Sequence, residues 1–255
     1  MGVLTMNTAY RLIWNRRLNA WAVASELARA CGKRSSGRVR AGLALALLAA
    51  TGGPAAAAEL APGALPGGGT VVGGQAAITT NGTRMDITQG SQRAIINWQG
   101  FDIGSEAHVN FAQPSDSSVT LNRVSGPTIS RIEGLLTANG QVFLVNPNGV
   151  LFGSGARVNA SALVASTLNI RDDDFLTGRY AFSGTGGAIE NLGTITATPG
   201  GYVAFIAPKI SNGGTLSAPQ GTVALGGGER VTLNFAGNRL VGLSVSAETL
   251  DTLID

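Results

Sequence analysis

An all-β solenoid is the fold that this 255-residue sequence predicts. Three observations carry it. The pattern I-x-N-x-G-T-[IL]-[ST]-A occurs twice, as Ile189–Ala197 and Ile210–Ala218, at an offset of 21 residues. A third copy, Gly134–Ala138, and a weaker one, Gly155–Ala160, repeat that 21-residue step. Each clear copy leads into a short apolar run: Val142–Val145, Tyr202–Ile206 or Val223–Leu225. Glycine is the third signal. Of 37 glycines, 31 lie in residues 59–255, about twice average usage and without a collagen period. Periods of 20–50 residues mark solenoids. Short strands bounded by Gly, Asn and Pro mark β-coils rather than helical repeats. A β-sandwich with chance internal similarity is the competing architecture.

The elements follow in chain order. Residues 1–58 form a targeting leader. A basic stretch with eight Lys/Arg and one acid precedes the apolar run AGLALALLAA at 41–50, and TGGPAAAA supplies small residues after it. That order is the signature of a secretory signal peptide. The apolar run is too short to span a bilayer, which takes about 20 residues. Ala56 and Ala58 frame an A-x-A site, so cleavage is expected after Ala58, and Met6 is a plausible start of translation.

Residues 59–130 repeat less clearly, although Thr83–Thr88, Arg93–Trp98 and Ser118–Val124 alternate as strands do. A solenoid whose first coil is open exposes an aggregating edge. This segment is therefore expected to be a non-repeating N-terminal cap merging into the first coils. Residues 131–255 are expected to be coils of about 21 residues, so the body holds at most about nine. Inside, Ile189, Ile195, Ile210 and Leu216 should stack as apolar ladders, with Asn191 over Asn212 bridging through their amides. Gly193 and Gly214 are expected to supply φ > 0 turns. Residues 171–182 interrupt the repeat and read as an excursion.

Two segments resemble known families. The interleaved YRLIWNRRLNAWAVASELAR of the leader is similar to the extended signal peptide of large Gram-negative exoproteins. Residues 94–170 contain AIINWQGFDIG, VTLNRVSG and VFLVNPNGVLFGSG. They resemble the N-terminal secretion domain of filamentous-haemagglutinin-type two-partner secretion exoproteins, in the high-molecular-weight adhesin branch. The resemblance covers most of 67–245. The Asn-Pro-Asn-Leu motif of the filamentous-haemagglutinin branch is not present in that form. The resemblance implies a right-handed parallel β-helix with an N-terminal cap. It implies an adhesin- or haemagglutinin-like product exported through the periplasm to the cell surface or medium. It also implies recognition by the POTRA domains of a dedicated outer-membrane transporter, with Asn146, Pro147, Asn148 and Gly149 used in secretion, and a host-cell receptor or glycan as final target. Exoproteins of this type are usually much longer than 255 residues.

Composition narrows the remaining chemistry. Without the leader, ten basic residues face fourteen acidic ones in 59–255, which argues against nucleic acid as a partner. The one cysteine, Cys31, lies in the leader, and His108 is the sole histidine, so neither disulfides nor a multi-histidine metal site is expected in the body. No cofactor is expected. Asp172–Asp174 lacks EF-hand spacing and reads as a solvated loop. Gly67–Gly69 and Gly226–Gly228 are followed by no Gly-Lys-Ser/Thr, and Ser154 is not in a G-x-S-x-G elbow. A polysaccharide-active β-helix enzyme is the alternative function. It would need carboxylates stacked on one outer face, where 134–225 carries mostly Thr, Ser, Asn and Gly. The leader generates the first testable expectation. N-terminal sequencing of exported protein should read from Glu59, and material beginning well before residue 50 would overturn the cleavage assignment.

Overall fold

The computed structural model describes residues 10–15, 20–25, 59–237 and 239–246. The chain divides into two units, Met1–Gly53 and Pro54–Asp255. In the first, strands Tyr10–Asn15 and Ala20–Ser25 pair antiparallel. The cleavage residues Ala56 and Ala58 lie outside the described residues.

The second unit is a right-handed parallel β-helix of six turns. One face stacks Arg84–Gln89, His108–Ala112, Leu135–Ala138, the first half of Arg157–Ser166, the first half of Thr194–Ile206, and Thr215–Ser217, all parallel. A second face stacks Arg93–Trp98, Val119–Val124, Gln141–Val145, the second halves of those two long strands, and Thr222–Gly226. The third holds Ser130–Ile132, Val150–Phe152, Ala188–Asn191 and Lys209–Asn212. The turns are fewer than the nine that the sequence spacing allows because the coils are unequal. Arg93 pairs with Val119, an offset of 26, and a long insertion separates Ala162 from its partner Tyr202, an offset of 40. The weak copy at Gly155 is also shifted. Leu135 pairs with Arg157, a step of 22, so Ala156 rather than Gly155 occupies the place of Gly134.

The cap is antiparallel. Thr70–Gly73 pairs with Arg93–Trp98, and Ala76–Asn81 with Arg84–Gln89, which covers the first coil's edge on both faces. The interior is built by register. Met85, Val109, Leu136, Val158, Ile195 and Leu216 form one continuous column. All but Leu216 are buried, Leu216 being half-exposed. Val150, Ile189 and half-buried Ile210 form another column on the third face. Asn191 donates to Asn212 Oδ1 at 2.7 Å in the next coil. Gly193 and Gly214 have no positive φ, contrary to expectation. They are small because coils approach closely there. A Cβ would stand 2.7 Å from the Ala156 oxygen at Gly193, and 2.2 Å from the Gly193 oxygen at Gly214.

Residues 171–182 leave the coil as expected, but they are packed rather than free. Helix α1 (Asp172–Leu176) has three aspartates in its first turn, where the helix dipole favours them. Asp172 pairs with Arg123 at 2.6 Å and Asp174 with Arg179 at 2.8 Å. Asn169–Ile170, Ala181–Ser183, Arg230–Ala236 and Arg239–Val245 form an antiparallel sheet. The expectation of coils through residue 255 is corrected here, since 230–245 turns back as a hairpin. Val231, Leu233 and Leu240 alternate along it and are buried. They join Phe175, Tyr180 and Phe182 over the outer side of the second face, where Leu121, Phe143, Val145 and Tyr202 lie. Strand Gln141–Val145 is consequently buried on both sides.

On the uncovered first face, five side chains close a ring across three coils. Arg84 donates to His108 Nδ1 at 2.8 Å, and His108 Nε2 donates to Thr137 at 2.7 Å. Thr137 donates to Asn110 Oδ1, Asn110 donates to Asp86, and Arg84 also donates to Asp86. Partial burial, reinforced by the Arg84 cation, holds the His108 imidazole below its ordinary value, against a weaker upward pull from Asp86. The unfolded chain thus takes the proton first as pH falls. Thermal stability should drop on acidification through the ordinary histidine range near about 6.5. His108→Gln should flatten that drop between about pH 7.5 and 5.5 in melts. In the ladder, Ile195→Ala should cost about 2–5 kcal/mol by chemical denaturation. Leu216→Ala should cost less than about 2 kcal/mol, because Leu216 is only partly buried.

Candidate functional site

The Asn146-Pro147-Asn148-Gly149 turn joins Gln141–Val145 to Val150–Phe152, two buried strands on different faces. The corner must therefore be sharp. The Gly149 amide donates to the Asn146 oxygen at 3.1 Å, closing a four-residue turn. Gly149 sits at φ +134, where a side chain is strained, and a Cβ there would meet the Ala188 oxygen at 3.1 Å. Asn146 is fully buried, and both ends of its amide are used. Its Oδ1 accepts from the Asn148 amide at 3.0 Å and from Asn148 Nδ2 at 3.1 Å. Its Nδ2 donates to the Thr128 oxygen and to Ser130 Oγ, each at 3.0 Å. Asn148 Nδ2 also donates to the Gly126 oxygen at 2.8 Å.

The turn is thus tied to the coil below through Gly126, Thr128 and Ser130. Above, the Gly187 amide donates to the Pro147 oxygen at 2.8 Å. Gly187 must be glycine, since its Cβ would stand 2.2 Å from the Asn148 oxygen. The excursion leaves the coil after Ser166 and rejoins it at Ala188, directly over the turn. Sequence spacing does not reveal Gly126, Thr128, Ser130 or Gly187 as supports. The glycines at 186–187 are the only trace of them. Pro147 and Asn148 are exposed, whereas Asn146 and Gly149 are buried. The four residues therefore divide into an inner pair that builds the corner and an outer pair at its surface.

The four ladder residues divide between two faces. Ile195 and Leu216 lie on the first face, while Ile189 and Ile210 follow the turn on the third. Asn146→Asp is not the mild change that a simple turn would allow. It replaces a buried donor by a carboxylate oxygen facing the Thr128 carbonyl. An unpaired buried polar group costs about 1–3 kcal/mol, more when charged. Asn146→Asp should therefore lower the melting temperature measurably, and Gly149→Val should do so through backbone strain.

A family model for the TPS secretion domain matches residues 63–252, and one for the Extended Signal Peptide of Type V secretion system matches residues 6–55. The heme/hemopexin-binding protein of Haemophilus influenzae is 46% identical over 106 residues, which span 42% of this chain and 12% of that protein. The autotransporter adhesin NhhA of Neisseria meningitidis serogroup B is 52% identical over 46 residues, 18% of this chain and 8% of that one. The chain thus spans a small part of the length of these curated relatives. The crystal structure of the HMW1 secretion domain from Haemophilus influenzae superposes with a TM-score of 0.67 at 33% identity, covering 72% of this chain and 50% of that chain. The family and this structural neighbour are secretion domains, not enzymes. TPS domains pair with an outer-membrane transporter, and the leader marks export through the periplasm of a Gram-negative bacterium. The chain, with its extended signal peptide and capped β-helix, belongs to the TPS secretion domain family.

Proposed function

We propose that the POTRA domains of the partner transporter engage this chain at the Asn146–Gly149 corner, and that docking precedes completion of the β-helix. The observation that supports this reading is the division of the turn. Asn146 and Gly149 are buried, while Pro147 and Asn148 are exposed, the Asn148 amide reaching back to Gly126 and Asn146. In the incompletely folded chain, the flanking runs Val142–Val145 and Val150–Phe152 are free strand edges. Such edges pair with a folded sheet by β-augmentation. The body has no cysteine, so no disulfide can lock it in the oxidising periplasm before it threads a pore.

Outside the cell, the antiparallel cap gives the first coil a closed edge, and later coils add to it one by one. Each coil buries further Ile, Leu and Val side chains, at roughly 1.5–3 kcal/mol per full burial before entropy is subtracted. That sequence of steps opposes back-sliding without ATP. The complete exoprotein then acts at a host-cell surface through a receptor or glycan.

The test is a comparison of secretion with thermal melts for the double variant Pro147→Ala/Asn148→Ala, beside Asn146→Asp. The outer double variant should lose secretion while its purified domain melts within a few degrees of the parent, since it forfeits only the partly exposed Asn148 bonds, worth about 1 kcal/mol. Normal secretion of that folded variant would remove the recognition role and leave the turn purely structural.

A further inference from the structure

A cavity of about 120 Å³ lies between the second face and the sheet that covers it. Arg93 of the first coil, Ser117 and Gln141 of the next two, Gly178 and Tyr180 of the excursion, and Phe235 of the hairpin line it. No Asp or Glu does. Three of these side chains bring unused donors. Arg93 Nε is buried without a partner, and among the described residues its guanidinium makes no ion pair or hydrogen bond. Gln141 is 9% exposed, and its Oε1 is taken by the Tyr202 hydroxyl at 2.6 Å. That bond fixes which end of the amide is free, leaving Nε2 as a donor without a partner among the described residues. Tyr180 is 8% exposed, and its hydroxyl has no partner among the described residues either. Gly178, at φ +77, leaves the space that Arg93 occupies, since a Cβ would stand 2.9 Å from Nη2.

Buried donors without acceptors are costly, and a guanidinium without an anion more so. Here one buried donor of this kind, Arg93 Nε, faces the acid-free cavity, beside the free donors of Gln141 and Tyr180. A carboxylate is the complement in charge, size and acceptor number, and arginine binds it with two parallel N–H donors. A second cleft of about 280 Å³ shares Ser117 and Gln141 with the cavity and is lined by Asp116, Ser161 and Arg239. It offers polar room for the body that carries the carboxylate. We infer that Arg93, Gln141 and Tyr180 form a binding site for a carboxylate on a small polyhydroxylated body, such as an acidic sugar. The site is distinct from the Asn146–Gly149 corner and does not depend on its role in secretion.

The test is calorimetric titration of the exported chain with glucuronate, glucose and acetate, each with wild type, Arg93→Gln and Tyr180→Phe. Circular dichroism melts of each variant show that it is folded, and Arg93→Lys retains the charge should Arg93→Gln fail to fold. Glucuronate should bind and glucose should not. Arg93→Gln should weaken glucuronate by about tenfold or more, and Tyr180→Phe by a smaller factor. Acetate binding as tightly as glucuronate would assign the site to free carboxylates instead of sugar acids. No glucuronate binding at millimolar concentration, equal binding of glucose, or undiminished binding by folded Arg93→Gln would each overturn the inference.

Discussion

Every coil of this domain depends on the coil before it. Parallel strands stacked about 4.8 Å apart satisfy one another's backbone groups, and no single turn can bury its own apolar side chains. Two consequences are written into the chain. The first coil requires a lid, supplied by the antiparallel strands Thr70–Gly73 and Ala76–Asn81. The corners require near contact of backbone with backbone, so residues such as Gly134, Gly193 and Gly214 are small. A Cβ at Gly134 would stand 2.1 Å from the Gly104 oxygen. These glycines serve distance rather than φ, which explains why they recur with the coil and why a turn-type argument misjudges them.

The second organising feature is a second core. The inward column from Met85 to Ile195 fills the helix, while Phe143, Leu121 and Tyr202 point out of the same coils into an apolar layer. The excursion and the terminal hairpin exist to cover that layer. Phe143 packs edge-on to Phe175 at 5.8 Å and tilted against Tyr180 at 5.0 Å, so the covering elements are fastened by aromatic contacts. Arg123 ties the excursion down from the other side, donating to the Ile170 oxygen at 2.6 Å. A segment that looks in sequence like a break in the repeat is the roof of the second face.

The Asn146–Gly149 corner lies where these two features meet. It turns the chain from the doubly buried second face to the third, beneath the point at which the excursion departs and returns. Three of its side chains or backbone positions serve structure: Asn146, Gly149, and Asn148, whose amide ties the turn to Gly126. Asn146 and Gly149 are buried, and Pro147 and Asn148 are exposed. The outward ring around His108 shows the same economy: its polar groups satisfy one another across coils instead of being presented singly to solvent.

Much was legible before any coordinates. The 21-residue recurrence follows from one residue in each coil having to overlie its counterpart, so the Ile195–Leu216 and Asn191–Asn212 pairings could be read directly. The leader could be read because export machinery recognises charge and hydropathy order rather than shape. The N-P-N-G turn could be read because its proline and glycine report backbone geometry. Tertiary structure alone decided what depends on distant segments. Coil lengths of 22 and 26, and a 40-residue step from Ala162 to Tyr202, erase the period through much of the body. The unbroken apolar run Val142–Val145 announces two-sided burial, yet nothing local says that residues 169–183 and 230–245 provide the outer side. Nor does spacing show that Asn146 spends its amide on Thr128 and Ser130, or that Arg93, Gln141 and Tyr180 share a cavity. Those contacts join side chains far apart in the chain, and only the stacking of the coils brings them within bonding distance.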